Sequence, residues 1–259
     1  MKTLSALFFL LFLGELTFSQ TPQAIEADLL KSFKKIEYWD ERLNDTKIQA
    51  GDSLDRANEN FGNKLKHIAE VFPATINYPF SLLKKASVYV SLSSDGLFRI
   101  YSWDTGGGGT MRQFANVMQY KAGGNVHSYL LMSNDDLGIP YYSNLYTFKN
   151  NDKTYYLGIY GIIESSRYAG TGIRVFAVQN GKLNNDVKII KTGTGLYSTI
   201  SYEYDFGSVA YIAFEKRATI TFDQATQTIH IPLVDAKGKV TKKLINYKFN
   251  GQYFEKIKS

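Results

Sequence analysis

The chain has 259 residues, 44% of them apolar and 21% charged, which places it among folded globular proteins and outside the disordered class. It has no cysteine, so disulfide scaffolds, thiolate metal sites, cysteine nucleophiles and cysteine lipidation are excluded, and His67, His127 and His230 are too few for a histidine-rich metal centre. Aromatic residues reach 15%, and the net charge is +6.

Residues 1–19 read as a signal peptide. Lys2 precedes an apolar run from Leu4 to Leu13, and Thr17-Phe18-Ser19 supplies a small-residue cleavage pattern before Gln20. The run is about half the ~20 residues a spanning helix needs, so no transmembrane anchor is expected after cleavage. The expected compartment is periplasmic or extracellular.

Residues 20–85 have a helical period. Thr21 can cap a helix with Pro22 at its first position, and Ile25, Leu29, Phe33, Ile36, Trp39 and Leu43 recur at spacings of three and four. After Gly51-Asp52-Ser53, Leu54, Ala57, Phe61, Leu65, Ile68 and Val71 form a second stripe that Pro73 ends. The two helices predict an αα-hairpin whose apolar faces need a docking partner.

Residues 86–259 have a period of two, clearest in Ile200, Tyr202 and Tyr204 and in Ala218, Ile220 and Phe222. Turn signals recur at Ser94-Asp95-Gly96, Ala122-Gly123-Gly124, Asn150-Asn151-Asp152, Asn180-Gly181, Ala236-Lys237-Gly238 and Asn250-Gly251. This spacing predicts roughly eleven or twelve strands in an antiparallel meander. The fold class is therefore mainly β with an N-terminal helical hairpin (α+β), the meander closing as a sandwich or barrel-like sheet. A small irregular propeller is the alternative, although three blades fall below the usual minimum.

The string Asp95-Gly96-Leu97-Phe98-Arg99-Ile100-Tyr101-Ser102-Trp103-Asp104-Thr105 with its following glycines and Thr110-Met111, the Asp52-Ser53-Leu54 region, and the ending from Tyr247 to Phe254 resemble a family of exported β-rich proteins of Bacteroidota. The resemblance runs through most of the mature chain. It implies export and assigns no activity.

The charge excess is local. Residues 236–259 carry Lys237, Lys239, Lys242, Lys243, Lys248, Lys256 and Lys258 against Glu255 alone, whereas acids and bases balance over residues 20–235. Such a patch fits an anionic polymer or a solvated edge strand whose lysines block unwanted pairing. The stretch has no arginine, which argues against phosphate or base recognition, and nucleic acid is not an expected partner.

Around the glycine run, Asp104-Thr105-Gly106 matches the core of the aspartic-protease signature, but it occurs once and lacks the usual apolar lead-in. Gly106 to Gly109 can form a nest of N–H groups or a flexible hairpin loop, and no lysine follows to make a phosphate loop. Trp103 as a stacking face, Asp104 as an acceptor and Arg112 as an anion partner are candidate ligand-binding residues. His127 and Ser128 alternate on a strand and cannot form a nucleophile–base pair. Asn134, Asp135, Asp136 and Gly138 resemble an oxygen-rich calcium turn without the EF-hand spacing. Tyr141, Tyr142, Tyr146, Phe148, Tyr155, Tyr156 and Tyr160 crowd two adjacent strands, either as core or as an exposed platform that stacks on sugars or peptides, and Tyr156 joins the candidate ligand-binding set.

These readings favour an exported, non-catalytic binding module for an envelope polymer, glycan or protein. No catalytic residue, metal or cofactor is assigned. A secreted hydrolase acting near Asp104 and a structural or assembly component are the alternatives.

Overall fold

The computed structural model describes residues 21–45, 47–132 and 139–258. The signal-peptide reading and the oxygen-rich turn at residues 134–138 lie outside them.

Helices α1 (Pro22–Asp40), α2 (Ala50–Val71) and the one-turn α3 (Ser81–Lys85) come first. Thr21 Oγ1 accepts from the Ala24 N–H at 3.2 Å, with Pro22 opening α1. Ile25, Leu29, Phe33 and Ile36 of α1 meet Leu54, Ala57, Phe61, Leu65 and Ile68 of α2 in one core. Both stripes stop short of their expected ends. Leu43 lies past the end of α1, Val71 is the last residue of α2, and both are exposed.

The rest is β-structure in three sheets. A helix-facing sheet holds β1 (Tyr89–Leu92), β2 (Phe98–Asp104), β3 (Phe114–Ala122) and β4 (Asn125–Leu131) in sequence order. A central sheet holds β5 (Tyr141–Asn150), β6 (Lys153–Ile163) and β7 (Tyr168–Gln179), with β8 (Lys182–Asn184) and β11 (Thr199–Asp205) sharing the far edge of β7. An outer sheet runs β10 (Leu196–Tyr197), β9 (Ile190–Lys191), β15 (Phe254–Ile257), β14 (Val240–Phe249), β13 (Thr228–Val234) and β12 (Thr221–Asp223). Neighbouring strands pair antiparallel except β9 and β15, which are parallel. The six predicted turns all fall between strands. Asn180 and Gly181 both take positive φ, at 50° and 78°, as a two-residue hairpin turn requires.

The layers stack as helices, helix-facing sheet, central sheet and outer sheet. Tyr101, Trp103, Ala115 and Val117 point into the helical core, while Phe98, Ile100, Met118 and Tyr120 point at Tyr142, Leu145, Tyr156, Tyr160 and Phe176 of the central sheet. The other face of the central sheet offers Phe148, Leu157, Ile159, Ile173 and Val175 to Ile190, Phe222, Ile229, Tyr247 and Phe254 of the outer sheet. This is a layered sandwich, not a propeller, because each core lies between two successive layers.

Two inner sheets are thus buried on both faces. Of the two readings of the tyrosine-crowded strands, core holds for Tyr142, Tyr155, Tyr156 and Tyr160, which are all buried and form no exposed platform. The lysine-rich ending is also not simply an edge strand. From Asn246 to Phe249, β14 is flanked by β13 and β15, and β15 is flanked in turn by β9. Its Val240–Ile245 half pairs with β13 alone among the described residues.

Buried polar groups pin the helical layer to the sheet beneath. The Glu26 carboxylate, 2% exposed, accepts from Leu82 N–H at 2.6 Å, Leu83 N–H at 3.2 Å and the Tyr78 hydroxyl at 3.0 Å, so a side chain of α1 caps α3. Arg99, also 2% exposed, donates to the Thr75 and Tyr78 carbonyls at 2.8 and 2.6 Å. Gln119 donates to the Ala69 carbonyl at 2.6 Å. Asn58 of α2 accepts from Trp103 Nε1–H at 3.0 Å and donates to the Thr105 and Leu54 carbonyls at 2.8 and 3.0 Å.

Candidate functional site

The residues singled out around the glycine run do not converge. Trp103 and Asp104 are consecutive on a strand and so point to opposite faces. Trp103 is wholly buried, edge-on to Phe61 with ring centres 5.0 Å apart, and its N–H is taken by Asn58. It presents no face to a ligand. Tyr156 is equally internal: its ring lies 5.1 Å from that of Phe98, and its hydroxyl donates to Asp95 at 3.2 Å. Burial, followed by the charge and the hydrogen bond of Asp95, pushes that hydroxyl well above the usual tyrosine range.

Asp104 and Arg112 do meet, across the glycine loop, at 3.3 Å. Asp104 Oδ1 also accepts from the Gly106 N–H at 2.9 Å. Partial burial raises the Asp104 pKa, the Gly106 bond and the Arg112 charge oppose that rise, and Asp40 adds to it. Asp40 stands so close that a side chain on Gly106 would come within 2.8 Å of its carboxyl carbon, and Gly106 has φ +78°. Loop, ion pair and Asp40 therefore form one folded corner.

The histidines are dispersed. His127 stacks on Tyr120 at 5.3 Å, and His230 Nδ1 lies 2.8 Å from Asn246 Oδ1 on the outer sheet. No group of three or more metal-ligating side chains occurs among the described residues.

Two hollows border this region. One, of about 330 Å³, lies between α2 and the glycine loop, and its lining includes Asp55, Asn58, Glu59, Thr105, Gln113 and Phe114. Among its described lining residues the polar ones are two carboxylates, two amides and Thr105, and Phe114 is the single aromatic.

The other hollow, about 340 Å³, opens where the central sheet extends past the cover of the outer sheet. Its floor is the backbone of β6 and β7 at Gly161, Gly170 and Thr171. Tyr141 from β5 and Tyr204 from β11 flank it, and Phe214 and Arg217 approach from the connection between β11 and β12. Tyr141 can lie across the floor because position 161 has no side chain; a Cβ there would fall 2.4 Å from the Tyr141 ring. The Tyr141 ring stacks on Tyr89 with centres 4.5 Å apart and planes 20° apart, with Phe114 at 4.8 Å and Phe214 at 6.5 Å. Thr171 donates to the Tyr160 carbonyl at 3.0 Å and lies 3.4 Å from the Thr219 hydroxyl.

The electrostatics of this cleft tie it to the Asp104 corner. Burial raises the pKa values of Tyr89, Tyr141 and Tyr204, and Arg217 opposes the rise at all three. Asp104 acts on Tyr89 in the raising sense. Arg112 completes the link, since its N–H donates to the Ile163 carbonyl at the end of β6.

Of the residues flagged in the sequence, Tyr141 and Tyr160 line this cleft, Asp104 and Arg112 are linked to it through Tyr89 and Ile163, and Trp103 and Tyr156 are core. Tyr89, Tyr204, Phe214 and Arg217 were missed. The available signal was the connection from Phe206 to Thr219, which carries Phe206, Tyr211, Ile212 and Phe214 where a surface loop is ordinarily polar. Tyr211 is fully exposed, and Ile212 and Phe214 nearly half so.

No protein-family model matches this chain, and no curated protein matches it.

Proposed function

We propose that this chain is an exported, non-catalytic binding module whose cleft at Tyr141, Tyr204 and Phe214 takes a saccharide segment of an envelope or extracellular polymer. One observation carries the reading. Three aromatic side chains and the Thr171 and Thr219 hydroxyls surround a hollow of about 340 Å³ with a glycine floor, within the size range of small-molecule sites. A sugar has apolar C–H faces and a polar rim, and tyrosine pairs an apolar ring with a polar tip in the same way. Hydroxyls and carbonyls at the floor suit the rim of a sugar, and the rings suit its faces. The leader pattern over residues 1–19 supports the export part of this reading. No helix of the described residues is long and apolar enough to cross a membrane.

The test titrates the chain from Gln20 calorimetrically with soluble oligosaccharides and then analyses each sample chromatographically for shortened products. Binding without cleavage is expected. Phe214→Ala removes a half-exposed ring and little core, so it is expected to weaken binding about two- to tenfold with an unchanged melting temperature. Gly161→Ala displaces Tyr141 and acts in the same direction. Absence of saccharide binding, or binding indifferent to both changes, overturns the cleft. Products that vanish in Asp104→Asn overturn the non-catalytic reading.

A further inference from the structure

Arg217 distinguishes this cleft from a neutral sugar site. Its Nε donates to the Ile212 carbonyl at 3.0 Å, and its guanidinium carbon lies 5.3 Å from the Phe206 ring centre and 5.9 Å from that of Phe214. The plane is thus held by one backbone bond and two rings, leaving the paired Nη groups for another acceptor. Among the described residues Arg217 takes part in no ion pair, whereas Arg112 and Arg167 are matched to Asp104 and Asp205. The other described groups lining the hollow are neutral: tyrosines, threonines, Ser143, Asn144, Ala218, Phe214 and glycine backbone. Glu164, close to Gly170, approaches it from the opposite face of the central sheet, the side on which Ile162 also projects. A cation fixed by its Nε, backed by rings and facing uncharged groups is arranged to receive an anion.

We infer that the cleft selects an acidic saccharide, a sugar ring lying against Tyr141 and Phe214 with its carboxylate received end-on by the two Nη groups of Arg217. This rests on the saccharide reading above and names the ligand class. The carboxylate is favoured because its two oxygens match the spacing of a guanidinium edge, giving two parallel charge-assisted bonds. Lysine would supply charge without that fork.

The experiment compares oligouronides of pectin, alginate and hyaluronan type with the same oligosaccharides methyl-esterified, which removes the charge and keeps the ring. Sulfated neutral oligosaccharides form a third arm. Calorimetry on the chain from Gln20 is expected to give binding to at least one oligouronide and about tenfold or weaker binding to its ester. Arg217→Gln is expected to abolish that preference and bind acid and ester alike, and Arg217→Lys to recover part of it; melting curves of both variants confirm that they fold. Equal affinity for acid and ester in the wild type overturns this inference while leaving the saccharide cleft in place. Tighter binding of the sulfated arm than of any oligouronide overturns the carboxylate assignment. Failure of charged and neutral saccharides alike removes the cleft reading and this inference together.

Discussion

Replacing Glu26 by alanine removes the acceptor for three donors at once, two of them free N–H groups in the first turn of α3. The site is 2% exposed, so water does not readily replace the carboxylate. Each buried donor left unpaired costs about 1–3 kcal/mol, and hydrogen bonds to charged groups lie in the upper part of the range. The three share one acceptor and are not additive, which places the total near 3–5 kcal/mol, below the sum of three separate losses. For a chain of this length that converts to a fall of about 6–20 °C in melting temperature. Glu26→Gln is the informative partner variant. Its carbonyl oxygen still accepts from Leu82 and Leu83, and its NH₂ can donate to the Tyr78 oxygen, so its loss is expected to stay within about 1–1.5 kcal/mol. Thermal unfolding followed by far-ultraviolet circular dichroism measures both. If the alanine and glutamine proteins melt within about 2 °C of each other, the lost acceptor is not what holds α3, and the cross-helix cap loses its assigned role.

Two further outcomes are expected. Asn58→Leu strands the Trp103 N–H and the Thr105 carbonyl in the helix–sheet core, an expected loss of about 2–3 kcal/mol; denaturant unfolding with a coincident change in tryptophan emission measures it, and an unaltered midpoint contradicts it. Stability is expected to decline in acid. The Ser198 hydroxyl holds the Asp186 carboxyl below its ordinary value, the Thr226 hydroxyl and N–H do so for Asp223, and the Lys239 and Lys237 N–H groups for Asp235. Because folding depresses these three, the stability they supply is complete above the unfolded value of about 4 and is lost as pH falls through their folded values. Asp104 has the opposite sign, its raised pKa favouring the protonated folded form, so it opposes the decline. Melting temperatures from pH 5 to pH 2.5 at fixed ionic strength are expected to fall, and Asp223→Asn to flatten the fall; an unchanged slope in that variant removes Asp223 from the account.

Much of the architecture could be read from local pattern. The helical stripes are clear because α1 and α2 each bury one face, and the hairpin turns are clear because Asn180-Gly181 and Gly123-Gly124 carry the residues that positive φ demands. Burial of the inner sheets on both faces was less legible. In β2, Phe98 to Trp103 are all buried, yet Arg99 and Ser102 interrupt the apolar run, because their partners are the Thr75 and Tyr78 carbonyls and Asn116, residues distant in sequence. The two-residue strands β9 and β10 are too short to show alternation, and their place beside β15 is a long-range fact. The cleft was illegible for the same reason. Tyr89, Tyr141, Tyr204 and Phe214 lie in four separated segments, and only the stacking of layers brings them together. Trp103, the most prominent side chain of its motif, proved to be an anchor for α2.

The position of β15 has a consequence for the order in which the molecule can assemble. It is the last of the described strands in sequence, yet it lies inside the outer sheet, between β14 and the much earlier β9. Phe254 on this strand reaches the rings of Phe148, Phe222 and Phe249. During vectorial synthesis or threading, the helices and the two inner sheets can form from near neighbours as they emerge, whereas β9 and β10 must wait for the final strand to be delivered. The outer layer therefore closes late among the described layers, by capture of β15 between two strands that are far apart in sequence.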